Sequence, residues 1–331
     1  MVFLFFLLAA VVTVIAATKL SSYSDIISEK SSLGGMMVGT LLLAGATSLP
    51  EVTTSLTAVF LDNPDIAVGN VLGSNLFNIL IIAVFDIFYR RKQLFNRVSP
   101  GHTYTAGLGA VLAFVTGAAF LLQLSWSVFG VGVDALILLL FYAVGIVWAN
   151  RQNEGVIPDE EEQDVPKPDL SLRQAGTGFI IAALFTLAAG TVLTTTGDRI
   201  AVITGLGSSF IGSFLIAAST SLPEAVSVYV AMKLRNYNLA LGSILGSNLF
   251  NLTLLALSDI FYRGEPIISA ASRTNLVTSL GITLLAVIVF YAVLRGNKGK
   301  RPSLYLWPSI TLVIVYFIAS YLTFIGLGAE W

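Results

Sequence analysis

The sequence predicts an all-α membrane protein with ten transmembrane helices in two inverted five-helix repeats, the helices being broken at the midplane. The composition is 56% hydrophobic and 11% charged over 331 residues, against roughly 25% charged in a soluble domain. Apolar runs of about 20 residues, the length that crosses a bilayer, follow one another along the chain. Finally, a short polar motif inside these runs returns 173 residues later, in register and without a gap.

The runs lie near 2–17, 34–60, 66–88, 103–123, 127–148, 174–195, 206–232, 239–261, 272–294 and 304–327. The first has the length of a signal-peptide core, but no basic residue precedes it and Lys19 follows it, so it reads as a retained span. The second carries Ala46-Thr47-Ser48-Leu49-Pro50-Glu51, and the seventh Ser219-Thr220-Ser221-Leu222-Pro223-Glu224. In the third and eighth, the segments 73–90 and 246–263 open on Gly-Ser-Asn-Leu-Phe-Asn and close on Asp-Ile-Phe-Tyr-Arg, with 12 of 18 positions identical. A duplication is the simplest source. Each copy holds five spans, an odd number, so the second enters the membrane with reversed polarity. The organisation is therefore a first repeat over 1–149 (motif 44–78), a linker over 150–173, and a second repeat over 174–331 (motif 217–251).

Of the 18 Lys and Arg residues, 15 fall in the loops after odd-numbered spans, which places those loops in the cytoplasm and both termini outside. The linker carries Asp159-Glu160-Glu161-Glu162 and several prolines. It reads as a solvated connection, with calcium sensing as the alternative.

Several function classes drop out. No cysteine and a single histidine, His102, leave no thiolate or imidazole cluster for zinc or copper. Basic residues sit in short loops without interleaved aromatics, which excludes a nucleic-acid surface. No phosphate-binding glycine loop is present, and two carboxylates without a further acid or histidine make a poor hydrolytic metal centre.

Glu51 and Glu224 lie near the middle of their spans, where a carboxylate is costly and so marks function. Pro50 and Pro223 cannot donate to the carbonyl four residues back, so each helix is expected to break and free backbone oxygens around Ala44–Ala46 and Ala217–Ser219. Thr47 and Glu51, Thr220 and Glu224, Ser74 and Asn78, and Ser247 and Asn251 are spaced i, i+4, and share a face if the helix persists. Carboxylates, hydroxyls, amide oxygens and peptide carbonyls together suit a hard cation, calcium or sodium. The bland alternative is that the hydroxyls bond back to their own helices, and that Gly69-xxx-Gly73 and Gly242-xxx-Gly246 only let helices pack closely. Asp86, Asp259 and Asp134, near span ends, read as interfacial anchors.

The paired Thr-Ser-Leu-Pro-Glu motifs, each followed by Gly-Ser-Asn-Leu-Phe-Asn, resemble the two alpha-repeats of the cation/calcium exchanger superfamily, closest to its sodium/calcium exchanger branch. The resemblance implies ion ligation by Glu51, Thr47, Ser48, Ser74 and Asn78, then Glu224, Thr220, Ser221 and Ser247, with backbone carbonyls at Ala44 and Ala217. It implies calcium extrusion against sodium by alternating access, with spans one and six sliding on the rest, and no enzymatic step or cofactor. Two positions depart from the family pattern: Ala46 and Ser219 replace glycine, and Asn251 replaces an aspartate. With two carboxylates the site balances one calcium or two monovalent ions, which argues against a three-to-one electrogenic exchange. Burial favours the neutral form of a carboxylic acid, so protons compete for Glu51 and Glu224, and proton/calcium exchange is the alternative. A calcium-permeable channel on the same motifs is a further one.

Overall fold

The computed structural model describes residues 1–30, 47–153, 170–296 and 305–326. The described chain is helical apart from short connections and one two-residue hairpin. In order, the helices are α1 (Val2–Lys30), α2 (Leu49–Phe60), α3 (Pro64–Phe88), α4 (His102–Leu122), α5 (Val133–Asn153), α6 (Leu172–Thr204), α7 (Ser208–Thr220), α8 (Leu222–Lys233), α9 (Tyr237–Phe261), the one-turn α10 (Ile267–Ala270), α11 (Thr274–Gly296) and α12 (Trp307–Phe324). Among the described residues seven helices are long and apolar enough to cross a membrane, and α7 with α8 forms an eighth candidate bent by 43°.

α3 and α9 form the interior. They pack on each other, and α3 also meets α2, α7, α11 and α12, while α9 meets α4, α5 and α8. Both are 25 residues long and begin alike. Asp62 (φ 55°) and Arg235 (φ 61°) take the left-handed conformation, and the next residue caps the helix, the Asn63 side chain accepting from the Ile66 amide and that of Asn236 from the Leu239 amide. Such caps satisfy an amide the helix start leaves unpaired.

The two helices also end alike. Asp86 accepts from the Leu94 amide at 3.1 Å and Asp259 from the Ile267 amide at 2.6 Å, each reaching eight residues ahead to hold the chain as it leaves the helix. Asp86 further binds the Ser309 hydroxyl at 2.5 Å and the Tyr305 hydroxyl, and Asp259 binds the Gly132 amide at 2.6 Å. The Tyr305 hydroxyl also accepts from the Phe95 amide at 3.1 Å, which ties the connection after α3 to the start of α12. These aspartates do anchor, but inward on backbone amides and buried hydroxyls instead of on the Tyr and Arg that follow them. Asp134 accepts from the Ala135 amide at 2.9 Å.

Three boundaries differ from expectation. α5 starts at Val133, because residues 127–132 form a hairpin turning through Phe129 (φ 54°) and Gly130 (φ 83°). α1 runs on to Lys30, well past the predicted 2–17. α6 extends to Thr204 and spans 33 residues, starting at a Ser171–Gln174 capping box and stopping at left-handed Gly205. The apolar run stops short of the true helix end because Gly197, Asp198 and Arg199 follow it, Asp198 being held by Asn63 Nδ2 at 2.7 Å. The acidic linker run 159–162 lies outside the described residues.

α3 meets α7 backbone to backbone. A Cβ on Gly69 would lie 2.8 Å from the Ser209 carbonyl oxygen, and one on Gly73 would lie 2.1 Å from that of Ser213. The first glycine pair is thus a close-packing motif. In the second pair, Gly242 faces His102 at 3.1 Å and Gly246 meets nothing within 4 Å among the described residues. Gly73→Ala is expected to lower the melting temperature of purified protein by several degrees, a loss of about 1–3 kcal/mol from overpacking. Gly109→Ala, whose methyl would stand 3.8 Å from Leu249, leaves it unchanged or raised.

Candidate functional site

Both polar motifs sit where a helix restarts. Ser48 (φ −91°, ψ 4°) and Ser221 (φ −89°, ψ 2°) take the same non-helical conformation and are followed by α2 and α8, with proline in the first two positions and the glutamate in the first turn. Proline costs little there, since first-turn amides lack a helical partner in any case. The glutamate lies at the positive end of a short helix. Proline therefore fixes the position of the break, and the break brings the carboxylate to a helix N-terminus.

Glu51 and Glu224 are buried, at 1% and 2% exposure. Glu51 Oε1 accepts from the Ser221 hydroxyl at 3.3 Å, and the hydroxyls of Thr220 and Ser74 also face this carboxylate. Ser74 and Thr220 are themselves 3.4 Å apart. Glu224 faces Ser247 and interacts electrostatically with Glu51. The two motifs thus meet, and Glu51 is met chiefly by the other motif's hydroxyls. That corrects the expected sharing of a face by Thr220 and Glu224, since the break at Ser221 falls between them. Thr47 is half-buried and Ser48 buried beside the matching break. One turn beyond Ser74 and Ser247 lie Asn78 and Asn251, both buried.

Several oxygens here have no partner among the described residues: Oε2 of Glu51, Oε2 of Glu224 and Oδ1 of Asn78, while both polar atoms of Asn251 are also unpaired. Buried oxygens normally find a partner, and oxygens of these kinds are also the ligands a hard cation takes. Among the described residues no group of three or more His, Cys, Asp or Glu could hold a metal. A cation bound here would have two carboxylates and neutral oxygens as its ligands.

The carbonyl expectation needs correction. Ala44 lies outside the described residues. The Ala217 carbonyl is occupied, accepting from the Ser221 amide at 3.0 Å and the Thr220 hydroxyl at 3.2 Å. The carbonyl that Pro223 deprives of a helical donor is that of Ser219. Backbone irregularity instead extends upstream as a π-helical stretch over Ile211–Ile216, a wide turn common beside functional sites.

Sequence reasoning missed Asn70, Asn75 and Asn248. Asn70 Nδ2 donates to Thr54 at 2.7 Å, to Ser55 at 2.9 Å and to the Glu51 carbonyl at 3.3 Å, while its Oδ1 accepts from Thr220 at 3.4 Å. It fastens the first turn of α2 to α3. Its signal was available as a lone amide in an apolar run. Asn75 and Asn248 stand inside the repeated hexapeptide itself.

The chain matches the sodium/calcium exchanger protein family over residues 1–150 and 175–325. It is 25% identical over 344 residues to the sodium/calcium exchanger MaX1 of Methanosarcina acetivorans, covering 95% of this chain and 96% of that protein. In fold it is similar to the H+/Ca2+ exchanger CAX, with a TM-score of 0.69 over 98% of this chain and 86% of that one at 14% identity. It is also similar to the sodium-calcium exchanger NCX_Mj, with a TM-score of 0.60 over 96% and 98% at 22% identity. With both halves of the sequence matched and the two glutamate motifs in contact, this chain belongs to the sodium/calcium exchanger protein family.

Proposed function

We propose that this membrane antiporter extrudes calcium in exchange for sodium, and that both ions use one site formed by Glu51, Glu224, Ser48, Ser74, Asn78, Thr47, Thr220, Ser221, Ser247 and Asn251. The observation that carries this reading is the pair of buried carboxylates from α2 and α8, each with an oxygen that has no partner among the described residues. Calcium is satisfied by six to eight oxygens in a flexible shell, and sodium can use the same oxygens. Ten spans in two inverted repeats, with both termini outside, fit this function. The caps, left-handed residues, breaks and carboxylate staples that recur 173 residues apart support that plan.

Access alternates as α1 and α6, which pack along one another, move against the remaining helices. α6 crosses both breaks with glycine: a Cβ on Gly190 would lie 2.8 Å from Thr53, and one on Gly197 would lie 2.7 Å from Ile216.

Calcium uptake into sodium-loaded proteoliposomes at symmetric pH tests the reading. The expected result is uptake that requires internal sodium and falls to background in Glu51→Gln and Glu224→Gln. Uptake driven by a pH gradient without sodium would make the counter-ion a proton, and flux indifferent to both gradients would refute antiport. Two carboxylates also set the charge balance: exchange of one calcium for two sodium ions leaves uptake rates within about twofold when a potassium diffusion potential is imposed. Asn251→Asp adds a third carboxylate, and its uptake is expected to respond to that potential.

A further inference from the structure

At the crossing of α3 and α9, Asn75 Nδ2 donates to the Asn248 carbonyl at 3.2 Å and Asn248 Nδ2 donates to the Asn75 carbonyl at 3.4 Å. A third bond breaks the symmetry of this exchange: Asn78 Nδ2 donates to Asn248 Oδ1 at 3.0 Å. Its counterpart would join Asn251 Nδ2 to Asn75 Oδ1, and both of those atoms are unpaired among the described residues.

These contacts force an order on the amides. A carbonyl oxygen only accepts, so the Asn75 carbonyl selects Nδ2 of Asn248. Asn248 Oδ1 is then left on the other side of its amide, where it can face only a donor. Asn78 must therefore turn Nδ2 toward Asn248, which directs its own Oδ1 away, buried and unpaired. From this we infer that Asn248, itself no ion ligand, is a positioning residue that orients the Asn78 amide so that its oxygen faces the cation. Among the described residues Asn251 has no such orienting partner, so the two halves of the site are unequal: one neutral ligand is pre-set and the other lacks this bond. The inference rests on the proposed use of Asn78 as a cation ligand. A misdirected amide presents Nδ2 to the cation, so the oriented amide contributes affinity as well as geometry.

Calcium binding to detergent-purified protein, measured calorimetrically beside melting temperature, supplies the test, with Asn75→Ala as a matched control. Asn75→Ala and Asn248→Ala each remove one of the two reciprocal bonds at the crossing, but only Asn248→Ala releases Asn78. Both are expected to lower the melting temperature similarly, while calcium affinity falls roughly tenfold or more in Asn248→Ala and stays within about twofold of wild type in Asn75→Ala. Asn248→Ser, whose hydroxyl can bond back to its own helix but cannot span to Asn78, gives the same loss of affinity and serves if the alanine variant does not fold. Adding Asn78→Ala to Asn248→Ala produces no further loss. Equal effects of the Asn75 and Asn248 substitutions on affinity, or additive effects of Asn78 and Asn248, overturn the inference. If wild type binds calcium but Asn78→Ala binds it equally well, Asn78 is no ligand and the inference falls alone. If wild type binds no calcium, the proposed function falls with it.

Discussion

Two carboxylates buried within one membrane-embedded assembly constrain nearly everything around them. A carboxylate-sized charge taken into a low-dielectric medium costs several kcal/mol even after relaxation, and two near one another cost more. The protein answers with short helices whose positive ends meet each glutamate, and with hydroxyls and amides drawn from both motifs. Among the described residues, one oxygen of each carboxylate has no partner. On the proposed reading, a cation takes that place and offsets the charge.

The helix breaks follow from the same constraint. A continuous helix would carry each glutamate past the middle of its length, where no dipole end is available. Proline in the first turn after the break removes an amide that would otherwise be orphaned, and Ser48 and Ser221 absorb the change of direction with nearly identical dihedral angles. On the far side of the site, Asn70 grips the Glu51 carbonyl, so the carboxylate is held from its backbone as well as from its side chain. α3 can come this close to α7 because glycine at 69 and 73 removes the side chains that would separate them.

Much of this was legible in the sequence because its signals are local. Apolar run length and the Pro-Glu pair each act over a few residues, so the apolar helices and both buried glutamates follow directly. What was not legible depends on tertiary partners. The π-helical stretch at Ile211–Ile216 has no residue signature and arises where α7 is pressed against α3. The end of α6 was misjudged because Gly197-Asp198-Arg199 ends the apolar run, and the partner that accommodates Asp198 within the helix, Asn63 at 2.7 Å, is supplied only by the fold. Asp86 and Asp259 declared a repeated role, but the amides they capture lie in connections whose path only the fold supplies. Asn75 and Asn248 stood inside the motif and were passed over, since their importance is a matter of which atom faces which neighbour.

The glycines of α6 have a mechanical meaning. Helices lock in axial position when the ridges of one enter the grooves of the other, and sliding then requires side chains to climb over one another. At Gly190 and Gly197, where α6 passes Thr53 and Ile216, α6 has no ridge of its own. Thr53 and Ile216 therefore sit almost on the α6 backbone, and three polar contacts mark the axial register: the Thr194 hydroxyl to the Thr54 carbonyl at 3.3 Å, Thr57 with Thr191 at 3.5 Å, and Asn63 Nδ2 to Asp198 at 2.7 Å. If α6 slides as proposed, these are the bonds the motion must break and remake, so the register of the helix is set by a few polar latches and the closeness of the contact by its glycines.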